Sequence, residues 1–224
     1  IDLEQDGPRR VRSLSDRTRS GLVAFSAQME PERFDVVSSS PVPAVHHAYA
    51  RLRARHDRVH LLAPDLRSRP GGALSTPRTA AFVDAVAVHD DGPAEQLMRL
   101  TPEGTRGTFE IALDWLNGPG RPTAVLCYTG YQAVALRLAA ARAGVQVPEE
   151  LEIIAIGDVP AEAELLGPIS YYGVDDVFAR LSGVVVDRAV ERGDRPGRLH
   201  RFDWEYFPGT TTRDDETPRN PDDR

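Results

Sequence analysis

Apolar and polar stretches alternate along the chain in a way that predicts strands and helices in turn, most clearly in residues 123–158. Residues 123–127 form a short apolar run of strand length, and residues 151–156 form a second run rich in β-branched side chains. Between these runs, apolar residues recur at helical spacing at Ala133, Leu136, Ala140 and Ala143. The pattern predicts a strand–helix–strand unit, whose right-handed crossover makes the two strands parallel.

Both ends of this helix carry local signals. Thr129 stands where an N-cap belongs and Gln132 follows three residues later, which is the spacing of a capping box. Gly144 is placed to end the helix in a left-handed conformation. Ligands of open parallel sheets bind beyond the carboxyl ends of the strands, which here are residues 128–130 and 157–158.

The rest of the chain repeats the same alternation. Further strands are predicted at residues 21–25, 34–38, 59–63, 97–100 and 199–207. Further helices are predicted from Pro43 through Leu52, from Thr76 (N-cap) and Pro77 onward, from Thr101 to Asn117, and from a capping Asp175 to about Arg192, with a short helix or loop at 160–166. In the helix after Asp175, the inward residues are predicted to be Val177, Leu181, Val184 and Ala189. This order predicts an α/β fold built on doubly wound parallel sheets.

Composition narrows the possible functions. The chain has 224 residues, of which 41% are hydrophobic, enough for one large or two small domains. Its net charge is −7, which argues against a nucleic-acid-binding surface on this chain. One cysteine excludes an internal disulfide and fits a reducing compartment. No apolar run has the length of a membrane span, and residues 1–6 are acidic where a signal peptide is basic. The predicted location is the cytoplasm, with no membrane contact.

Residues that could carry catalysis are sparse. The six histidines lack the spacing of a zinc site, and Cys127 lies in a predicted core strand as a buried thiol. Residues 38–40 are serines without a nucleophile-elbow frame, and Gly118 and Gly120 precede a strand where a phosphate loop would follow one. The sequence therefore predicts no catalytic residues, no metal and no cofactor, and the chain is interpreted as a protein that is not an enzyme.

The central unit resembles the effector-binding core of the LacI/GalR transcription regulators. Their pattern is a glycine, then V-P, then an apolar strand that ends in glycine and aspartate. The residues that match it are Gly144-Val145-Gln146-Val147-Pro148 and Ile153-Ile154-Ala155-Ile156-Gly157-Asp158. Earlier matches are Asp35 and an "R-x-x-G-F" segment at 78–82, in which Ala81 replaces the glycine. His56 replaces a further glycine of the family pattern.

The resemblance implies two parallel-sheet subdomains like those of type I periplasmic binding proteins. It divides the chain into an N-terminal subdomain, 1–64 plus 174–204, and a C-terminal subdomain, 65–173 plus 205–212. Residues 213–224 contain no apolar residue and are predicted to be a disordered tail. Family members have further strand–helix units and a helix-turn-helix headpiece before this point, so the N-terminal subdomain is expected to be incomplete. A second alignment register stays open, in which residues 12–26 match the segment that joins the headpiece to the first core strand.

The resemblance implies the effector-sensing and dimerisation core of a DNA-binding transcription regulator, either repressor or activator. A small molecule would bind between the subdomains of a homodimer that contacts DNA only through a headpiece absent from this chain. The alternative is a solute-binding protein of an ABC-type uptake system, which would have a signal peptide upstream. A basic cluster at residues 9–19 is either the solvated face of a short helix or a hinge near a headpiece.

The predicted ligand-binding residues are Ser40, Arg78, Tyr128, Thr129, Gly130, Tyr131, Gly157, Asp158 and Tyr172. Sugar-binding members of the family place aspartates at the positions of Ser40, Gly130 and Gly157, and all three are absent here. Arg78 matches the family's effector-binding arginine. The effector is therefore predicted to be either a sugar or a less sugar-like molecule, aromatic or anionic. The other interpretation is that the pocket has decayed and the tyrosines pack between subdomains, while Asp158 caps the turn at Pro160.

Overall fold

The structure is a computed structural model that describes residues 3–17, 21–26, 29–66, 76–102, 104–191 and 195–213. In chain order its elements are α1 (Leu3–Arg17), β1 (Val23–Phe25), β2 (Asp35–Ser38), α2 (Val42–Arg53), β3 (His60–Pro64), α3 (Pro77–Val88), β4 (Met98–Thr101), α4 (Thr105–Asn117), β5 (Ala124–Cys127), α5 (Gly130–Ala143), β6 (Glu152–Ile156), β7 (Tyr171–Gly173), α6 (Val177–Val190), β8 (Leu199–Arg201) and β9 (Glu205–Phe207). Short 3₁₀ helices cover Ala94–Leu97 and Ala161–Leu166.

The chain forms two compact units. The first consists of Ile1–Ser40 with Val174–Glu205, and the second of Pro41–Gly173 with Tyr206–Arg224. The sequence-based division differs at residues 41–64, which belong to the second unit. These residues belong to the second unit because β3 pairs with β4 and β5. The apolar run at 59–63 predicts a strand but does not show which strands it pairs with. The tail predicted at 213–224 lies outside the described residues, apart from Arg213.

The second unit is built on a six-stranded sheet with the order β4-β3-β5-β6-β7-β9. The pairs β3–β4, β3–β5, β5–β6 and β6–β7 are all parallel. Every residue of β5 and β6 is buried, as expected for strands with both faces covered by helices. The predicted α/β fold with parallel sheets is confirmed, including the strand–helix–strand unit at 123–158.

Helices cover the two faces of this sheet in pairs, because α2 packs against α3 and α4 packs against α5. The connection from β3 through α3 leads to β4, at one edge of the sheet, whereas the connection from β5 through α5 leads to β6, in the opposite direction. The direction of winding therefore reverses between β3 and β5. A crevice at the carboxyl ends of the strands is expected at such a switch point.

The first unit has a three-stranded parallel sheet, β1-β2-β8, with the helices α1 and α6. Asp35 begins β2 and is fully buried. Arg195 donates two hydrogen bonds of 2.8 Å to the Asp35 carboxylate, the backbone N–H of Arg198 donates one of 2.9 Å, and His200 Nε2 lies 3.2 Å away. Burial alone would raise the pKa of Asp35, but these hydrogen bonds lower it to about 2.

Helix α6 departs from the prediction at its cap and in its packing. Its N-cap is Asp176, with a φ of 42° and no side-chain cap, where Asp175 was predicted. Val184 is buried as predicted, but Ala189 is exposed and Arg188 is only 1% exposed. Arg188 Nη2 donates a 2.6 Å hydrogen bond to the carbonyl of Arg33, so a long cation fills a core position that the periodicity assigned to an apolar residue.

The single strand predicted at 199–207 is two strands in different sheets. Residues Leu199–Arg201 pair with β2 in the first unit, and Glu205–Phe207 join the six-stranded sheet. Residues 202–204 lie between them, and the Trp204 indole donates a 2.8 Å hydrogen bond to Ser39 Oγ. No helix in the described part of the chain is both long and apolar enough to span a membrane.

Candidate functional site

Two helix caps fix the carboxyl edge of the six-stranded sheet near the switch point. Thr76 caps α3, where its Oγ1 accepts a 3.2 Å hydrogen bond from the backbone N–H of Thr79. Thr129 caps α5 and Gln132 returns the bond through its Oε1, which accepts from the Thr129 N–H at 3.1 Å. The predicted capping box is therefore confirmed. These caps place Arg78 in the first turn of α3 and Tyr131 in the first turn of α5.

Arg78 is held by its neighbours at this edge. Its guanidinium carbon lies 4.9 Å from the centroid of the Tyr128 ring, a cation–π contact. Burial lowers the pKa of Arg78, while Tyr128 and Asp158 act in the opposite direction. A cation in the first turn of a helix opposes the helix dipole. The acidic Asp158 and the tyrosine face compensate for that unfavourable position.

Close backbone approach explains why glycines stand at positions 130 and 157. A Cβ atom at Gly130 would lie 2.3 Å from the carbonyl oxygen of Asp158 and 2.6 Å from the Cα of Val159. Gly157 has a φ of 116°, and a Cβ there would lie 3.3 Å from Arg78 Nη2. The loop after β6 therefore lies directly on the first residue of α5, and Arg78 occupies the space over Gly157.

A cavity of about 400 Å³ opens at the ends of β3, β4 and β5. We call it the threonine cavity. Its lining residues are Pro64, Pro102, Gly104, Thr105, Thr108, Thr129, Tyr131 and Gln132. Thr129 and Tyr131 are two of the residues predicted to bind ligand. The cavity therefore lies at the switch point of the sheet, where α/β folds bind small molecules.

A chain of buried polar groups forms the floor of the threonine cavity. Thr108 Oγ1 lies 3.2 Å from Thr101 Oγ1, and Gln132 Nε2 donates a 3.3 Å hydrogen bond to the same hydroxyl. Thr101 Oγ1 in turn lies 3.4 Å from the carbonyl of Ala63, in β3. Thr101, Thr105 and Thr108 are not among the predicted site residues. Thr101 ends β4, whereas Thr105 and Thr108 lie three residues apart on one face of α4, and this spacing is the signal that the sequence offers.

The remaining predicted residues lie in different surroundings. Tyr172 is only 7% exposed and its ring centroid is 5.2 Å from that of Tyr206, so it packs in the core of the second unit. Tyr131 is 63% exposed. Ser40 follows the carboxyl end of β2 and belongs to the first unit.

Other titratable groups in the second unit are tied to structure. Burial raises the pKa of the Cys127 thiol, which is fully buried in β5. Burial and the 2.5 Å hydrogen bond to Asp91 raise the pKa of Tyr49. Within the described residues, no group of three or more histidine, cysteine or acidic side chains could hold a metal ion.

Comparison with known families matches residues 49–193 to the model of the periplasmic binding protein-like domain. The chain belongs to this family. The match spans more than half of the chain and includes all of the threonine cavity and the Arg78–Tyr128 pair. The family explains the doubly wound sheet and its switch point. Curated proteins provide no match to this domain.

Solved structures with the same fold include several transcription regulators. A LacI family regulator from Clostridium acetobutylicum has a TM-score of 0.67 and 14% identity, and the match covers 84% of this chain and 69% of that one. One from Enterococcus faecium with bound ribose has a TM-score of 0.68 and 16% identity, covering 94% and 76%. One from Lactobacillus casei with bound glucose has a TM-score of 0.67 and 16% identity, covering 93% and 84%. At these identities the likeness shows the fold.

Proposed function

We propose that the domain binds a small molecule at the carboxyl edge of its six-stranded sheet and is the effector-sensing core of a LacI-type transcription regulator. The observation that carries the proposal is the threonine cavity at the switch point of the sheet. Support comes from the regulators of the same fold that hold ribose and glucose. No catalytic step is assigned to the domain.

The side chains at this edge have distinct roles in the proposal. Tyr131 offers an exposed aromatic ring to an apolar part of the ligand, and Thr129 and Gln132 hold the first turn of α5 in place beneath it. Arg78 positions Tyr128 and the loop that begins at Gly157. Binding would shift the domain between two conformations of different ligand affinity, which is how an effector changes the behaviour of a regulator.

Ligand screening by thermal shift tests the small-molecule part of the proposal. Sugars, nucleobases and aromatic acids are added singly to the wild type, to Arg78→Ala and to the control Arg142→Ala, whose exposed side chain is in the last turn of α5. At a ligand concentration of about 100 Kd, the free energy of unfolding is expected to rise by about 2.7 kcal/mol. Arg78→Ala should weaken this stabilisation and Arg142→Ala should leave it unchanged. A folded wild type that no compound stabilises would contradict the proposal.

The regulator role requires a dimer whose DNA affinity depends on the ligand. Sedimentation velocity on this domain measures the first property, and a mobility-shift titration of the full-length gene product, with and without ligand, measures the second. A solute-binding protein, the alternative with the same fold, would bind ligand as a monomer without any effect on DNA. Ligand binding together with a strictly monomeric state would favour that alternative.

A further inference from the structure

We infer that the outer face of helix α6 is an interface with a second copy of this chain, in which the two α6 helices pack in antiparallel orientation. The inference goes beyond the proposed ligand site, because α6 belongs to the first unit, and it names a surface for the dimer that the regulator role requires. Three features of α6 carry it: an exposed apolar face, the spacing of the residues along that face, and two charges at its border.

Helix α6 is apolar on two opposite sides. Its inner side packs on the three-stranded sheet through Val177, Leu181 and Val184. The large residues of its outer side are between 47% and 78% exposed, and they are Phe178, Val185, Val186 and Val190. The other exposed residues on that side are alanine, serine and glycine. A helix with apolar residues all round is typically buried, and an exposed apolar patch of this kind marks a protein–protein interface.

One row of residues along this outer face has the spacing of a seam between two helices. Ala179, Gly183, Val186 and Val190 follow one another at intervals of four, three and four residues, as in a coiled coil. The row is symmetric about its centre, so Ala179 faces Val190 of the second copy in an antiparallel pair. Gly183 likewise faces Val186 of the second copy. A Cβ at Gly183 would meet no neighbouring group of the described chain within 4 Å, so each small residue leaves room for the valine opposite it.

Two charges beside this row select the antiparallel orientation. Arg180 and Asp187 lie seven residues apart, so they project from the same border of the outer face, about two turns apart. In the antiparallel pair, Arg180 of each copy lies next to Asp187 of the other, and two ion pairs form across the interface. A parallel pair would place these residues of the two copies on opposite sides of the seam and would form neither ion pair.

The positions of these two charges are unfavourable within a single α6. Arg180 is in the first turn and Asp187 is in the last turn, where the helix dipole favours the opposite charges. An antiparallel second copy compensates both residues at once. The Arg180 guanidinium carbon lies 4.3 Å from the centroid of the Phe202 ring, and this contact holds the side chain beside α6 without using an acceptor for its N–H groups.

Sedimentation equilibrium of the 224-residue chain tests the inference. A helix pair of this length is smaller than a standard interface, so the wild type should form a weak dimer, with a dissociation constant on the order of 10 μM. Val186→Glu should weaken this dimer tenfold or more, because it places a charge in the seam. The matched control is Val88→Glu, at a 72% exposed position that ends α3 in the second unit, and it should change the constant less than threefold. Circular dichroism checks that both variants fold.

A charge exchange tests the antiparallel register. Arg180→Glu and Asp187→Arg should each weaken the dimer threefold or more, because each replaces two ion pairs with contacts between like charges. The double variant Arg180→Glu/Asp187→Arg restores both pairs with the charges exchanged, so it should dimerise at least threefold more tightly than either single variant. A double variant no tighter than the single variants would overturn the inference.

The remaining outcomes separate this inference from the proposed function. A dimer that Val186→Glu leaves intact would assemble through another surface, which overturns the inference but keeps the proposed function. A wild type that is monomeric even at about 100 μM would leave this face to another occupant, such as a further segment of a longer gene product or a different protein. That result would overturn the inference and would also count against the regulator role, whereas ligand binding measured by thermal shift would stand or fall separately.

Discussion

Asp35→Asn is expected to destabilise the first unit by an amount that depends strongly on pH. The Asp35 carboxylate is fully buried and accepts hydrogen bonds from the Arg195 guanidinium at 2.8 Å, with Arg188 Nη1 at 3.7 Å. The amide keeps the shape of the side chain but removes its charge, so two arginines lose their buried counter-charge. Removal of one partner from a buried ion pair typically costs about 3–5 kcal/mol.

The part of this cost that depends on pH follows from the pKa. Asp35 has a folded-state pKa of about 2 against an ordinary value of 3.8. At 1.36 kcal/mol for each pKa unit, the ionised carboxylate contributes about 2.5 kcal/mol to folding. Because the folded pKa is the lower one, this contribution is complete above pH 4 and is lost as the pH falls through 2. The difference in the free energy of unfolding between wild type and Asp35→Asn should therefore be largest near neutral pH, and it should be smaller by about 2 kcal/mol at pH 2.

Urea unfolding between pH 2 and pH 7 measures this difference in the first unit alone. The chain has two tryptophans, Trp204 in the first unit and Trp115 in the second. A Trp115→Phe background leaves Trp204 as the fluorescent reporter of the unit that contains Asp35. Asp16→Asn is the matched control, because Asp16 is 65% exposed and lies 3.7 Å from Arg33 in the same unit. The control should change stability very little at any pH.

A constant difference between wild type and Asp35→Asn from pH 7 to pH 2 would refute the reasoning. It would mean that Asp35 has an ordinary pKa in the folded state, and that the arginine contacts do not lower it. An equally large effect of Asp16→Asn would show that overall charge, and not the buried cluster, controls the acid stability of this unit.

Three further predictions concern the second unit. Gly130→Ala should destabilise the second unit by about 1–3 kcal/mol in urea unfolding, because the new Cβ would lie 2.3 Å from the Asp158 carbonyl oxygen. The control Gly183→Ala, in α6 with open space around it, should be neutral or stabilising. A Gly130→Ala variant as stable as the wild type would disprove the close approach. Glu152→Gln should lower the free energy of unfolding by about 3 kcal/mol, because the fully buried Glu152 accepts a 2.6 Å hydrogen bond from Arg55 Nη2. The control Glu110→Gln, at an exposed position, should have little effect in the same urea unfolding assay. Cys127 should react with a thiol reagent only as fast as the unit unfolds, because it is buried and its pKa is raised; rapid modification under native conditions would contradict its place in the core.

The predictions that succeeded depended on signals carried by neighbouring residues. Thr129 and Gln132 form the capping box, and Gly144 ends the helix with a φ of 74°. Both signals depend only on residues close together in the sequence, so they do not require knowledge of the rest of the fold. The buried strands β5 and β6 were equally clear, because a parallel strand covered on both faces is apolar along its whole length. These two strands and the helix between them are enough to locate the carboxyl edge of the sheet, and with it Thr129 and Tyr131.

The predictions that failed depended on distant contacts. Nothing near residues 199–207 shows that the strand must divide between two sheets, because that division is set by pairing with β2 at one end and by the second sheet at the other. Arg188 was missed because its burial needs the Arg33 carbonyl, 155 residues away. The threonine cavity was missed because Thr101, Thr108 and Gln132 become neighbours only when α4 packs against α5.

The two edges of the second unit's sheet use polar groups in different ways. At the amino edge, Glu152 begins β6 fully buried, and it is held by Arg55 at 2.6 Å and by Arg213 at 3.5 Å. Asp35 has the same role at the start of β2 in the first unit. Such ion clusters fix the start of a strand in place. At the carboxyl edge, hydroxyl side chains cap α3 and α5, and Thr129, Tyr131 and Gln132 line the threonine cavity. The polar groups of the carboxyl edge therefore hold the start of a helix and also line the cavity that we propose as the ligand site.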